Sequence, residues 1–66
     1  MDLLINGEKK SFPDGLSLEG VIQELGVRKE TVVAEVNRRI VRTGDLAEWK
    51  LSDGDQVELI QFVGGG

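Results

Sequence analysis

Apolar and polar residues change rhythm along the chain in a way that marks out its elements. Residues 2–6 alternate, with Leu3 and Ile5 on one face and Leu4 on the other, the period of a strand. Asn6-Gly7 is a strong hairpin signal, because both positions of the tight turn call for positive φ. A second strand is expected over Glu8 to Phe12, closed by Pro13-Asp14-Gly15, where Pro presets φ and Gly supplies the unusual conformation. The period then lengthens. Leu18, Val21, Ile22 and Leu25 fall at i, i+3, i+4 and i+7, one apolar stripe of a helix. Ser17 is placed to accept from an orphan N–H of the first turn. Glu19 suits the positive end of the helix dipole, and Gly26 suits a left-handed stop. Gly20 inside the helix costs about 1 kcal/mol relative to Ala, and a close approach of helix to sheet is one way to offset it.

Thr31 to Val36 is rich in β-branched residues and reads as a third strand. There the apolar run leaves open whether Val32 or Val33 faces inward. Asn37-Arg38 is a turn and Ile40-Val41 a short fourth strand. Asp45 to Trp49 reads as a single helical turn, with Leu46 and Trp49 three apart. Asp53-Gly54-Asp55 turns the chain into a last strand from Gln56 to Val63. The order is ββαββ, a helical turn, then β. One amphipathic helix laid across a mixed sheet of about five strands buries these faces most economically, an α+β architecture. The expected core is Leu3, Ile5, Phe12, Leu18, Val21, Ile22, Leu25, Val36, Leu46, Leu51, Val57 and Leu59. The expected division is a domain over 1–63 and a flexible glycine tail over 64–66.

In the last strand Val57 and Leu59 face the helix, which leaves Ile60 and Phe62 on the opposite face. No second helix is predicted to cover that side. Clustered exposed apolar residues mark a docking surface, and Leu4 is expected to join them. The strand runs directly into Gly64-Gly65-Gly66. A tail without side chains can thread a narrow tunnel, and three extended residues reach only about 10 Å. A partner that uses this end must therefore grip the body as well.

Composition narrows the chemistry. The 66 residues have no cysteine and no histidine, which removes thiol nucleophiles, thiolate metal sites and the commonest general base. Tyrosine is absent as well. An autonomous catalyst is not expected from what remains. The net charge of −4 argues against nucleic acid as a partner, since phosphate backbones attract basic patches. Lys9-Lys10, Arg28-Lys29 and Arg38-Arg39 read as solvated turn residues. Asp53, Asp55 and Glu58 lie near the exit strand, where turn formation and solubility explain them, with a basic rim on a partner as the alternative. No apolar run approaches the roughly 20 residues that span a bilayer. Leu3-Leu4-Ile5 behind Asp2 does not make a signal sequence, so a cytoplasmic location is expected.

A β-grasp order, the Asp53-Gly54-Asp55 turn, a closing strand and terminal Gly65-Gly66 resemble the ubiquitin-like sulfur carriers. Val36-Asn37, Ile40-Val41, Trp49 before Leu51 and Phe62-Val63-Gly64-Gly65-Gly66 are most similar to the thiamine-biosynthesis (ThiS) family. The absence of proline near the tail sets the chain apart from molybdopterin-synthase small subunits. Arg38 stands where the family often has glycine, a departure that bears on the turn type.

The resemblance implies a sulfur carrier, a protein co-substrate and not an enzyme. It implies that an E1-like adenylating enzyme activates the Gly66 carboxylate with ATP. The resulting glycyl adenylate is converted, at the expense of a persulfide from a sulfur-donor enzyme, into a C-terminal thiocarboxylate (1-thioglycine), and thiazole synthase receives the sulfur. Gly64 and Gly65 then thread into the partner, and Phe62, Ile60 and Leu4 dock it. No cofactor, metal or membrane is implied. A molybdopterin-type carrier and a ubiquitin-like modifier of lysines are the alternative acyl-transfer readings, and a plain interaction module with an inert tail is the third.

Overall fold

The computed structural model describes residues 1–62. The expected closing residue Val63 and the tail glycines Gly64, Gly65 and Gly66 lie outside the described residues. Five strands are formed among those described: β1 (Asp2–Ile5), β2 (Glu8–Ser11), β3 (Val32–Val36), β4 (Arg39–Val41) and β5 (Gln56–Gln61). One α-helix, α1 (Leu18–Glu24), follows the first hairpin. The strand order across the sheet is β2-β1-β5-β3-β4. β5 is therefore the middle strand, parallel to β1 and antiparallel to β3. This is the expected α+β, β-grasp arrangement.

Both hairpins turn in two residues. Asn6 and Gly7 have φ of 51° and 84°, and Ile5 pairs with Glu8. Asn37 and Arg38 have φ of 50° and 71°, and Val36 pairs with Arg39. Positive φ at both central residues is the type I′ signature, whose twist matches that of the flanking strands. Arg38 thus keeps the turn type that a glycine would give, in a region where a Cβ is strained.

Each end of α1 has an identifiable cap. At the N-terminus, Ser17 Oγ accepts from Gly20 N at 3.1 Å. The preceding two donors leave the helix altogether. Leu18 N donates to the Trp49 carbonyl at 2.9 Å and Glu19 N to the Leu46 carbonyl at 3.1 Å. Orphan amides of a helix end need such partners. Here the 46–49 segment supplies them. At the other end Gly26 has φ of 73°. Its N–H donates to the Gln23 carbonyl at 3.0 Å, and Val27 N donates to the Ile22 carbonyl at 3.2 Å. This pair of bonds is the Schellman motif.

The core lies between α1 and one face of the sheet. It contains Leu3, Ile5, Leu18, Val21, Ile22, Val36, Leu46, Leu51 and Val57 as expected. Phe12, Leu25 and Leu59 are only partly buried against it. Val32, Ala34 and Val41 are buried additions. The ambiguity in β3 resolves with Val32 inward and Val33 at the surface.

Three expectations are corrected. The helical turn begins earlier, as a 3₁₀ turn at Thr43–Asp45. It continues through Glu48 N donating to the Asp45 carbonyl and Trp49 N to the Leu46 carbonyl. A further 3₁₀ turn, Lys29–Thr31, precedes β3. Gly20 faces no strand at close quarters. A Cβ there would lie 2.7 Å from Leu16 Cδ1, so the glycine makes room for a loop side chain that folds back onto the helix.

Two stability predictions follow from burial and backbone. Ile22 is fully buried, and Ile22→Ala should cost about 2–5 kcal/mol. Leu59→Ala should cost distinctly less, because Leu59 is only half covered. Urea denaturation of the two variants checks the order. Arg38→Gly should raise stability by about 1 kcal/mol, by removing a left-handed non-glycine residue, and the same titration reads it.

Candidate functional site

The site is the exit strand β5 and the sheet face turned away from α1. β5 alternates as expected: Val57 is buried and Leu59 half-buried on the helix side, while Glu58, Ile60 and Phe62 point the other way. Ile60 is 51% exposed and Phe62 48%. Pairing continues to the last described residue, since Phe62 N donates to the Thr31 carbonyl at 3.0 Å.

Two neighbours were not anticipated. Val33, on β3, is the direct cross-strand partner of Ile60 and is 36% exposed. Ile40, on β4, is 69% exposed and pairs with Glu35. The patch therefore crosses three strands, β5, β3 and β4. Single exposed apolar residues are ordinary, whereas a contiguous set without a covering element marks a contact surface. Leu4 shares this face but not the cluster. It is half-buried and lies level with Gln56, four residues before Ile60, or about 13 Å along the strand.

What holds the exit strand is a pair of asparagine side chains. β1 ends at Ile5, and its backbone turns away just where β5 needs a further partner. Asn6 Nδ2 donates to the Leu59 carbonyl at 3.2 Å, and Leu59 N donates to Asn6 Oδ1 at 2.8 Å. The carboxamide stands in for a peptide group and prolongs the parallel ladder. At the start of β5, Gln56 N donates to Asn37 Oδ1 at 3.0 Å, and Asn37 N donates to the Gln56 carbonyl at 2.8 Å. Each asparagine thus serves a type I′ turn and β5 together. The hairpin reading of Asn6 identified the turn and missed the clasp. Asparagine as the first residue of both hairpin turns was the available signal, since its side chain both tolerates positive φ and mimics a peptide.

The carboxylates near the exit strand divide by what they do. Asp53 Oδ1 accepts from Asp2 N at 2.6 Å. Asp55 accepts from Ser52 N at 2.8 Å through Oδ2 and from Asn37 Nδ2 at 3.1 Å through Oδ1. Both are occupied in closing the turn before β5. At the far edge of this face Ser11 Oγ donates to Asp2 Oδ1 at 2.6 Å. That hydrogen bond, more than nearby Lys9, holds the Asp2 carboxyl below its ordinary range. Glu58 is in neither network. Among the described residues no group of three acidic, histidine or cysteine side chains is placed to hold a metal. None of the helices described is long and apolar enough to cross a membrane.

The ThiS family model matches residues 3–66. The chain belongs to the ThiS family. Over all 66 residues it is 39% identical to a protein named thiazole synthase from Paramagnetospirillum magneticum, of which the match occupies 20%. The chain spans about a fifth of the length of the first curated relatives it matches. It is 27% identical to the sulfur carrier protein ThiS of Escherichia coli, with both chains covered completely. The crystal structure of the thiamine biosynthesis protein ThiS from Geobacter metallireducens superposes with a TM-score of 0.86 at 29% identity, again over the whole of both chains. ThiS-family membership and the shared fold thus agree over the full length.

Asn6→Gly keeps the left-handed backbone of the turn and deletes both bonds to Leu59. It should cost about 1–2 kcal/mol. Hydrogen exchange should accelerate at the Leu59 amide while the β3 amides stay protected, and exchange monitored by NMR checks this.

Proposed function

We propose that this protein is a sulfur carrier of thiamine biosynthesis that acts as a co-substrate. The observation that carries the reading is the ThiS family match, which runs through Gly66 and includes the three terminal glycines. The fold shared with the Geobacter metallireducens ThiS supports it. So does a central strand that ends in exposed Ile60 and Phe62 just before the tail.

The chemistry begins at an unreactive group. A terminal carboxylate is ionised at neutral pH and has no good leaving group. A carboxylate oxygen of Gly66 attacks the α-phosphorus of ATP in an adenylating enzyme, and pyrophosphate departs. The acyl adenylate then has AMP as its leaving group. The terminal sulfur of a donor's persulfide attacks the acyl carbon and displaces AMP. Reductive cleavage of the resulting acyl disulfide by a thiol leaves the thiocarboxylate. One difficult substitution becomes a series of easier ones. The chain has no cysteine, so no internal thiol competes for the activated acyl group.

Thiazole synthase is the proposed acceptor of the sulfur. The occurrence of a segment similar to this chain within proteins named thiazole synthase supports that pairing. In this reading Gly64 and Gly65 give the clearance needed for threading. Ile60 and Phe62 anchor the partner, and Leu4 lies at the margin of the same face. The tail is too short to hold a partner alone, so the anchor face must supply the affinity. A cytoplasmic location fits a route that consumes ATP.

The test is the intact mass after incubation with ATP, the thiamine-pathway adenylating enzyme of the same organism and a persulfide donor. The expected result is a gain equal to one oxygen replaced by sulfur, absent when Gly66 is deleted. No gain with an adenylating enzyme that is active on another carrier would refute the thiamine assignment.

A further inference from the structure

The docking face contains an arrangement that works against the stability of the sheet. Glu35 on β3 and Glu58 on β5 are direct cross-strand partners. Both point away from α1, because their neighbours Ala34, Val36 and Val57 are buried on the helix side. Side chains in such positions lie about 5 Å apart at Cβ, and like charges placed there repel. Glu35 is half-buried, so water screens the pair incompletely. Among the described residues neither carboxylate forms an ion pair or a side-chain hydrogen bond, whereas Asp2, Asp14, Glu8 and Glu19 all have cationic partners. Asp53 and Asp55 are likewise used internally. The pair sits inside the apolar patch. Ile60 and Val33 form the next outward-facing cross-strand pair, and Ile40 is the β4 partner of Glu35.

We infer that Glu35 and Glu58 together form the receptor for one arginine side chain that the adenylating enzyme presents from within its own apolar contact surface. This rests on the sulfur-carrier reading above, and adds to it the charge that selects the partner. A guanidinium is planar and offers five donors in a fixed fork, so one such group can serve two carboxylates at once. A metal ion is the other candidate for two adjacent carboxylates, but no third ligand accompanies them among the described residues. On docking, the apolar rim of Val33, Ile40, Ile60 and Phe62 excludes water around the charges. A partner without the cation would leave two like charges desolvated together, which costs more than either apolar contact returns. The pair therefore rejects wrong partners as well as holding the right one.

The test measures binding of the wild type, Glu35→Gln/Glu58→Gln and Ile60→Ala to the adenylating enzyme of the same organism across a salt series. Each variant is also melted alone. The double glutamine variant should bind about tenfold or more weakly, with a flatter salt dependence, and should melt no lower than the wild type because a repulsion has been removed. Unchanged binding by the glutamine variant, with weakened binding by Ile60→Ala, would overturn the inference and leave the sulfur-carrier reading standing. A lowered melting temperature in the glutamine variant would show a structural role and also overturn it. A wild type that neither binds this enzyme nor gains sulfur would remove both.

Discussion

Everything in this fold depends on β5 being the middle strand. The last segment of the chain is inserted between the first and the third, parallel to β1 and antiparallel to β3. The sheet therefore cannot be completed until both ends of the sequence have met. That topology costs loop-closure entropy, and the return is mechanical. A strand with neighbours on both sides has no free edge, so the chain stays registered up to the point where the tail begins. The two asparagine clasps extend this control past the end of β1, where backbone pairing alone would have stopped at Val57.

The helix is subordinate to the same closure. α1 has only seven residues, too few to be stable alone in water. Its stripe of Leu18, Val21 and Ile22 is buried on the sheet, and its first two amides are satisfied by the carbonyls of Trp49 and Leu46. The segment between β4 and β5 thus caps the helix as well as connecting two strands. Leu46 anchors it from below, at 1% exposure. Loss of that segment would uncover a hydrophobic contact and two backbone donors together.

Legibility in the sequence followed the range of the interaction. Ser17, Gly26 and the two turns act within a few residues of themselves, and each was readable from local chemistry. The face assignment of β5 followed from strict alternation, which exposed Ile60 and Phe62 in advance. β3 carried no such signal, because Val32 and Val33 are equally apolar. Only pairing with β5, Val33 opposite Ile60, decides between them. Val41 and Ala34 were missed as core for the same reason, being small or flanked by other apolar residues. Gly20 was read as a packing residue, but its neighbour is Leu16 and not a strand. That contact depends on how a loop folds back, which no periodicity encodes. The proposed acyl chemistry at Gly66 was reached through resemblance and lies beyond the described residues.

Charge on the exit strand shows how stability and recognition are separated in so small a domain. The carboxylates that stabilise the fold are short and sit in turns: Asp53 and Asp55 accept backbone N–H groups at the entry to β5. An aspartate in a turn replaces a missing backbone acceptor and needs no cation. Glu35 and Glu58 are longer, lie in strand centres and face away from the helix. Nothing in strand geometry favours two glutamates opposite each other, and threonine would suit the same positions better. A domain of this size has little stability to spare, so a locally unfavourable pair on an uncovered face is best understood through what it meets. Burial of Ile60, Val33 and Ile40 can supply affinity to many apolar surfaces. The two carboxylates restrict that choice to a surface bearing a cation at one position, and in doing so set the body in the register from which the tail must extend.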